Sequence, residues 1–394
     1  MKHSILFISH ERKMGGANLS LFDLIKELKK RGHIVYVAVL YRGCPIDVKL
    51  NEIGIETIPC LFGWWQQPKY WNKGLKIIFR LLHFYQKMSV IKLASFVNNK
   101  KIDIIHSNSS VIDIGAELAK ITGKRHVWHF REYGDVDYQL EYMYGLERSI
   151  KYINSNSDSC IFISKALSKH YPDINNKTII YDGISRERFN ENGFDNDMND
   201  NEKIISFIVA GNLIEGKNQQ FVLEAVKELH DVNGENYVDE SKYRIYIAGR
   251  STDLKESKEY EKHLKEYTIT NELKNIEFLG FVENIDELRK KASVEIVASR
   301  SEAYGRVIIE AMAIGDLVLA MNSGSAPELI GENERGTLFD NNVLDLARKM
   351  KDVIVNYSLY DNVRKAAYVY AYKNHASNQT VNDIENIYNQ VLEH

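Results

Sequence analysis

The chain has 394 residues, enough for two domains that each bury a core of their own. With 44% hydrophobic and 27% charged residues and only 5 prolines, its composition excludes the disordered and fibrous classes, and no apolar run approaches the roughly 18 residues a membrane span requires. A formal net charge of -3 hides an asymmetry: residues 1–185 hold 26 Lys and Arg against 17 Asp and Glu, while residues 186–394 hold 25 against 37, so the first half should attract anions.

In chain order, the opening segment MKHSILFISH is too short for the apolar region of a secretion signal and leads into GG, not a cleavage site. Cys44, Cys60 and Cys160 are odd in number and far apart, which excludes a zinc ligand set and fits a reducing compartment. A cytoplasmic protein is expected. Short β-branched runs predict strands at Ser4 to Ile8, Ile34 to Leu40, Ile55 to Ile58, Ile102 to His106, Arg125 to Phe130, Ser159 to Ile163 and Thr178 to Tyr181. Helical patterns fall between them, such as Leu19 to Lys30 with Leu21, Leu24, Ile25 and Leu28 on one face. Gly15 and Gly16 stand where a phosphate loop would stand but lack the GxGxxG spacing, so a nicotinamide-type fingerprint is absent. Glu56 and Asp103 bracket a stretch with no acid and eight bases: Lys69, Lys73, Lys76, Arg80, Lys87, Lys92, Lys100 and Lys101, interleaved with aromatic residues. This pattern fits a helix lying on an anionic bilayer. Leu75, Ile78, Phe79, Leu82 and Tyr85 fit a core-facing helix equally well. Strand Arg125 to Phe130 runs into WHFREYGD and sets His129, Arg131 and Glu132 at its carboxyl edge. A lone histidine in such a place is more often structural than catalytic. No nucleic-acid-binding module is present.

The polar stretch 186–201 reads as a linker, after which the strand and helix alternation restarts. Strands are expected at Ile204 to Ala210, Arg244 to Ala248, Ile276 to Leu279, Val294 to Ala298 and Leu317 to Met321, with a last helix over Asn378 to Leu392. The expected fold class is α/β: two Rossmann-like, doubly wound domains over 1–185 and 202–376, facing each other across a cleft, with a separate last helix in 377–394. Ligands of such sheets sit beyond the carboxyl ends of the strands. After the strand Val294 to Ala298 comes SRSEAYGRVIIEAMAIGD. There a helix opening at Gly305 aims free N–H groups and its positive end outward, a seat for a diphosphate. Glu302 and Glu310 flank that seat, and carboxylates suit sugar hydroxyls. Spacing alone equally allows a capping acid at Glu302 and a solvated residue at Glu310. In GNLIEGK, Lys217 opens the next helix, where a cation opposes the dipole unless an anion lies between; a plain surface lysine is the alternative.

Together these segments resemble the GT-B glycosyltransferases that use nucleotide sugars, specifically the large retaining family 4. The resemblance covers nearly the whole chain. It rests on Glu302 and Glu310 as the family's E-x7-E pair, the loop MGGANLSL, the strand-end histidine in VWHF, the turn YDGIS, the G-x5-K turn GNLIEGK and the turn LGFVEN. It implies that Glu310 binds the donor ribose and Glu302 the transferred sugar. Lys217, with the amides of Tyr304, Gly305, Arg306, Gly15 and Gly16, holds the diphosphate beside Asn212. Gly280 to Val282 lines the base pocket, and His129 faces the reacting sugar. No metal and no bound cofactor are implied; the nucleotide sugar is a co-substrate, with uridine the favoured base. The resemblance also sets Arg131 and Glu132 on the acceptor side and takes residues 377–394 back onto the first domain. The chain departs from the family at Asn212, where Arg is usual, and at Asp182, where Asn is usual; the lost cation implies either weaker donor binding, a task shifted to Arg131 or Arg250, or a degraded site.

The expected activity is retaining transfer of a hexose or hexosamine to a saccharide or lipid-linked acceptor in bacterial cell-surface glycan assembly. Residues 61–101 fit peripheral contact with an anionic membrane and, equally, a solvated basic face. A nucleotide-sugar epimerase or hydrolase on the same fold, and a non-catalytic partner subunit, remain open as other classes.

Overall fold

The computed structural model describes residues 1–190 and 204–393. Contacts divide the chain into two units, Met1–Ile184 with His375–His394, and Ser185–Asn374. The first holds β1 (Ser4–Ile8), β2 (Ile34–Val39), β3 (Glu56–Pro59), β4 (Gln66–Pro68), β5 (Ile104–Ser107), β6 (Arg125–Phe130), β7 (Leu140–Tyr142), β8 (Ser159–Phe162) and β9 (Lys177–Ile179). Seven form a parallel sheet in the order β3-β2-β1-β5-β6-β8-β9. All of SILFI in β1 is buried because helices cover both faces, which is why the strands read as continuous apolar runs. The periodic face of the helix Gly16–Lys30 packs as its spacing predicts, with Leu21, Leu24, Ile25 and Leu28 in the core. β4 and β7 pair antiparallel outside the main sheet; their three residues each are too few to show a period in sequence.

The helix Ser377–Glu393 completes this unit. Val381, Ile384, Tyr388 and Val391 enter the same apolar cluster as Ile5, Phe7 and Leu24. Glu385 fixes its rim, 2.6 Å from Arg31 and 2.7 Å from His33. The chain turns into it beside Gly183, where a Cβ would come within 2.6 Å of the Ser377 Cα, so only glycine fits.

The second unit holds β10 (Ile205–Ala210), β11 (Tyr243–Ala248), β12 (Ile276–Gly280), β13 (Val294–Val297), β14 (Leu317–Met321) and β15 (Thr337–Phe339). They form one parallel sheet in the order β12-β11-β10-β13-β14-β15. Of the stretch expected as a linker, 191–201 lies outside the described residues. Arg186 to Asn190 belong to the second unit, with a single helical turn at Arg186–Arg188.

The basic, aromatic segment forms the helix Lys73–Gln86, and its apolar residues do not face a core. Leu75, Ile78, Leu82 and Tyr85 are all about half exposed or more, as are Ile77, Leu81 and Phe84. Among its described side chains only His83 turns fully inward, 3.2 Å from Asp113, while Phe79 packs edge-on against Trp71. Part of the positive charge is answered locally, since Lys76 and Lys100 each lie 2.7 Å from a carboxylate, Glu141 and Glu56. Among the described residues no helix is long and apolar enough to cross a membrane. The three cysteines are buried and unpaired.

Candidate functional site

In the second sheet the chain order reverses between β10 and β13, so the loops leaving these two strands diverge and open a crevice at their carboxyl ends. Lys217 arrives from the first loop and Glu302 from the second, and their side chains form an ion pair. The loops are locked together below it. The Arg300 amide donates to the Gly216 carbonyl at 3.2 Å, and the Ser325 amide to the Glu302 carbonyl at 2.9 Å. Gly324 passes so close that a Cβ there would sit 2.4 Å from the Glu302 carbonyl oxygen, and its φ of +55° already favours glycine. The helix Arg306–Ile314 then starts with Gly305 at its N-cap and no side chain capping it. Its first N–H groups and positive end are therefore directed at the turn of Glu302 to Gly305, with Tyr304 buried beneath. Asn212 is exposed, its carbonyl held by Gln219 at 2.9 Å. Arg250 stacks over Phe281 of the 280–282 turn, 5.0 Å from the ring centroid.

Glu310 is neither solvated nor free. It is buried among three guanidinium groups: Arg188 at 2.5 Å and Arg306 at 2.9 Å share Oε1, and Arg289 takes Oε2 at 2.9 Å. Burial pushes its carboxyl up, but Arg289, Arg306 and Arg188 together outweigh burial and hold it at about 2. Arg188 also forks onto Asp286 with two 2.7 Å bonds, and Arg289 onto the fully buried Glu295 at 2.9 Å. Having Arg289 as its main cationic partner, Glu295 cannot offset its burial and is pushed to about 6. Oε1 of Glu310 therefore accepts from two guanidinium groups and Oε2 from one. Glu302 and Glu310 thus stand in separate networks.

The first sheet reverses between β1 and β5, and the candidate residues of this unit gather at that point and at the end of β6. His129 is fully buried, and burial, with Arg131 and then His106, keeps its ring well below the usual imidazole range. Arg131 pairs with Asp182 and donates to Asn108 at 2.8 Å. The aspartate that replaces the family's asparagine is therefore a counter-ion for Arg131. Glu132 accepts three bonds of 2.7 Å on one oxygen, from the Ser109 hydroxyl and from the amide and hydroxyl of Ser110. Of the two, Arg131 stands against His129, with Nη2 at 3.4 Å from its Nδ1.

Gly15 and Gly16 open the helix Gly16–Lys30, again without a side-chain cap on Gly15. Sequence reasoning overlooked Glu11, whose carboxylate reaches that helix end and accepts from the Asn18 amide at 3.0 Å. Burial raises its carboxyl most, the Asn18 amide opposes that, Glu132 adds to it, and the result is about 7. Also overlooked were His10, lowered to about 3 by burial and Arg131, and Arg188 and Arg289 beside Glu310. Both arginines reach Glu310 only through the fold. Among the described residues no group of His, Cys, Asp and Glu is placed to hold a metal.

Two family models match the chain: glycosyltransferase family 4 over residues 14–188 and glycosyl transferases group 1 over residues 189–370. An uncharacterized glycosyltransferase of Methanocaldococcus jannaschii is 25% identical over 358 residues, 88% of this chain and 86% of that one. The crystal structure of Anabaena HepE with UDP superposes with a TM-score of 0.77 at 19% identity, over 98% of this chain and 100% of that one. A glycosyltransferase from Rickettsia africae gives 0.77 at 20% identity, over 99% of both chains. With two parallel-sheet Rossmann-like halves and matches across nearly its whole length, the chain belongs to the group 1, family 4 glycosyltransferases of the GT-B fold.

Proposed function

We propose that the protein transfers a hexose or hexosamine from a UDP-sugar to a saccharide or lipid-linked acceptor, with retention at the anomeric carbon and without a metal, in bacterial cell-surface glycan assembly. The observation that carries this reading is the Lys217–Glu302 pair at the β10 and β13 switch point, beside an uncapped helix end. Breaking the bond between sugar and diphosphate leaves negative charge on the departing phosphate. A fixed cation and converging amides stabilise that charge, each such donor contributing on the order of 2.7 to 4 kcal/mol. Lys217 meets the diphosphate, Glu302 then turns to hydroxyls of the transferred sugar, and Glu310 takes a ribose hydroxyl. Anabaena HepE has been solved with UDP and with UDP-glucose, which favours uridine as the base. The departing phosphate oxygen takes the acceptor proton on the face where the new bond forms, so no protein nucleophile enters. His129 orients the transferred sugar and shields it from water.

A lipid-linked acceptor at an anionic membrane surface fits the exposed apolar side of the helix Lys73–Gln86 and the lysines beside it.

The test is a thermal-shift panel of nucleotide sugars followed by product analysis with and without acceptor lipids and saccharides. A donor at a hundredfold excess over its dissociation constant stabilises the fold by about 2.7 kcal/mol. A UDP-sugar should give that shift, and product should form only when acceptor is present, with or without EDTA. No shift with any donor, or consumption of donor alone, sinks the proposal.

A further inference from the structure

His129 ends a run of hydrogen-bonded side chains that crosses the core of the first unit. Tyr388, on the helix Ser377–Glu393, sets its hydroxyl 2.7 Å from Nδ1 of His106 on β5. Nε2 of His106 lies 3.1 Å from Nδ1 of His129 on β6. Nη2 of Arg131 stands 3.4 Å from the same Nδ1. All four side chains are buried, and the Nε2 of His129 has no hydrogen-bond partner in the protein.

A neutral imidazole has one donor and one acceptor nitrogen, and which is which follows from the bonds around it. Burial and the charge of Arg131 hold both His106 and His129 far below the usual histidine range, so both rings are neutral. The run then has two directions. In one, Tyr388 donates to His106, His106 donates to His129, and His129 carries its proton on Nε2. In the other every bond is reversed and the proton sits on Nδ1. Arg131 selects between them, because a guanidinium only donates and a proton on Nδ1 would set one N–H against another.

We infer that Tyr388 and His106 are positioning residues that lock His129 in the Nε2–H tautomer, so that its unpartnered nitrogen offers a hydrogen-bond donor. Its natural partner is an oxygen of the bound ligand, a sugar hydroxyl in the reading above, on which this inference rests. The run also places a residue of the helix Ser377–Glu393, more than 250 positions further along the chain, in control of the histidine on β6. Tyr388→Phe removes the hydroxyl and keeps the ring, and His106→Leu removes the relay. His106→Gln preserves its direction, with the amide oxygen accepting from Tyr388 and the amide nitrogen donating to His129.

The measurement is long-range proton–nitrogen NMR on histidine-labelled full-length protein, with the His129 ring assigned by its disappearance in His129→Gln. The wild type and His106→Gln should show His129 protonated on Nε2, whereas Tyr388→Phe and His106→Leu should show a mixture of tautomers. In the transfer assay, Tyr388→Phe should lower kcat about tenfold with donor affinity unchanged, the order of one neutral hydrogen bond. His106→Gln should keep most of the wild-type kcat. A wild-type ring protonated on Nδ1, or a tautomer indifferent to Tyr388→Phe and His106→Leu, overturns the inference. The NMR result stands even if no sugar is transferred, so failure of the relay and failure of the proposed activity are told apart.

Discussion

Lys217 and Glu302 neutralise one another across two loops, and in the proposed reaction an arriving diphosphate would compete for the same ammonium group. Because both side chains are partly exposed, with Lys217 at 32%, the pair contributes little to stability, at most about 1 kcal/mol. Lys217→Ala should therefore leave the urea midpoint almost unchanged while lowering kcat by about a hundredfold to a thousandfold. A large loss of stability with intact turnover would reverse that assignment. Glu310 should behave in the opposite way. Removing its charge takes a carboxylate away from three arginines, one of them fully buried, and Glu310→Gln is expected to cost about 3 kcal/mol in urea unfolding. Its carboxyl is depressed from 4.5 to about 2, so its contribution is complete above 4.5 and disappears as pH falls toward 2. Wild-type protein should lose stability through that window more steeply than Glu310→Gln, and urea midpoints followed against pH check the sign. The positions of Glu302, Glu310 and Lys217 were legible because a strand, a glycine turn and a helix follow one another within a short stretch. Two of the arginines around Glu310 were not: Arg188 meets it from 122 positions away and Arg289 from 21, and no local pattern records that, whereas Arg306 is its i,i+4 neighbour on one helix.

Sequence periodicity shows which side of a helix is apolar but not what covers it, and the helix Lys73–Gln86 illustrates the limit. Its pattern fits a core or a membrane equally, and only the fold shows that Leu81 and Phe84 face outward, 66% and 72% exposed. With Lys76 and Lys100 already paired, apolar contact should outweigh charge in any membrane binding. Flotation with vesicles containing anionic lipid should recover the wild type and lose most of Leu81→Glu and Phe84→Glu; equal recovery of all three removes the membrane from the proposal. The longer strands were legible to within a residue or two, β1, β6 and β14 at both ends, since both faces of a parallel sheet are apolar and Gly or polar turns bracket each run. At the turn between β14 and the following helix, Gly324→Ala should push the Glu302 backbone aside, and a fall in both melting temperature and turnover is the expected result.

At the scale of the molecule, the chain leaves the first unit at Ile184, builds the whole second unit and comes back at His375. The alternation of strands and helices made two parallel-sheet halves readable. Why the helix Ser377–Glu393 belongs to the first unit is a matter of packing: its apolar face fits a surface formed by β1 and the helix Gly16–Lys30. Residues 185–374 are contiguous and should give a cooperative unfolding transition when expressed alone, whereas residues 1–184 lack Val381, Ile384 and Tyr388 from their core and should not. Calorimetry on the two fragments checks this. The same arrangement sets a schedule for biosynthesis. Synthesis ordinarily lets the earlier-made part mature first, but here the later-made half can finish while its predecessor waits, its apolar groove open to chaperones, until the ribosome has delivered the helix that closes it.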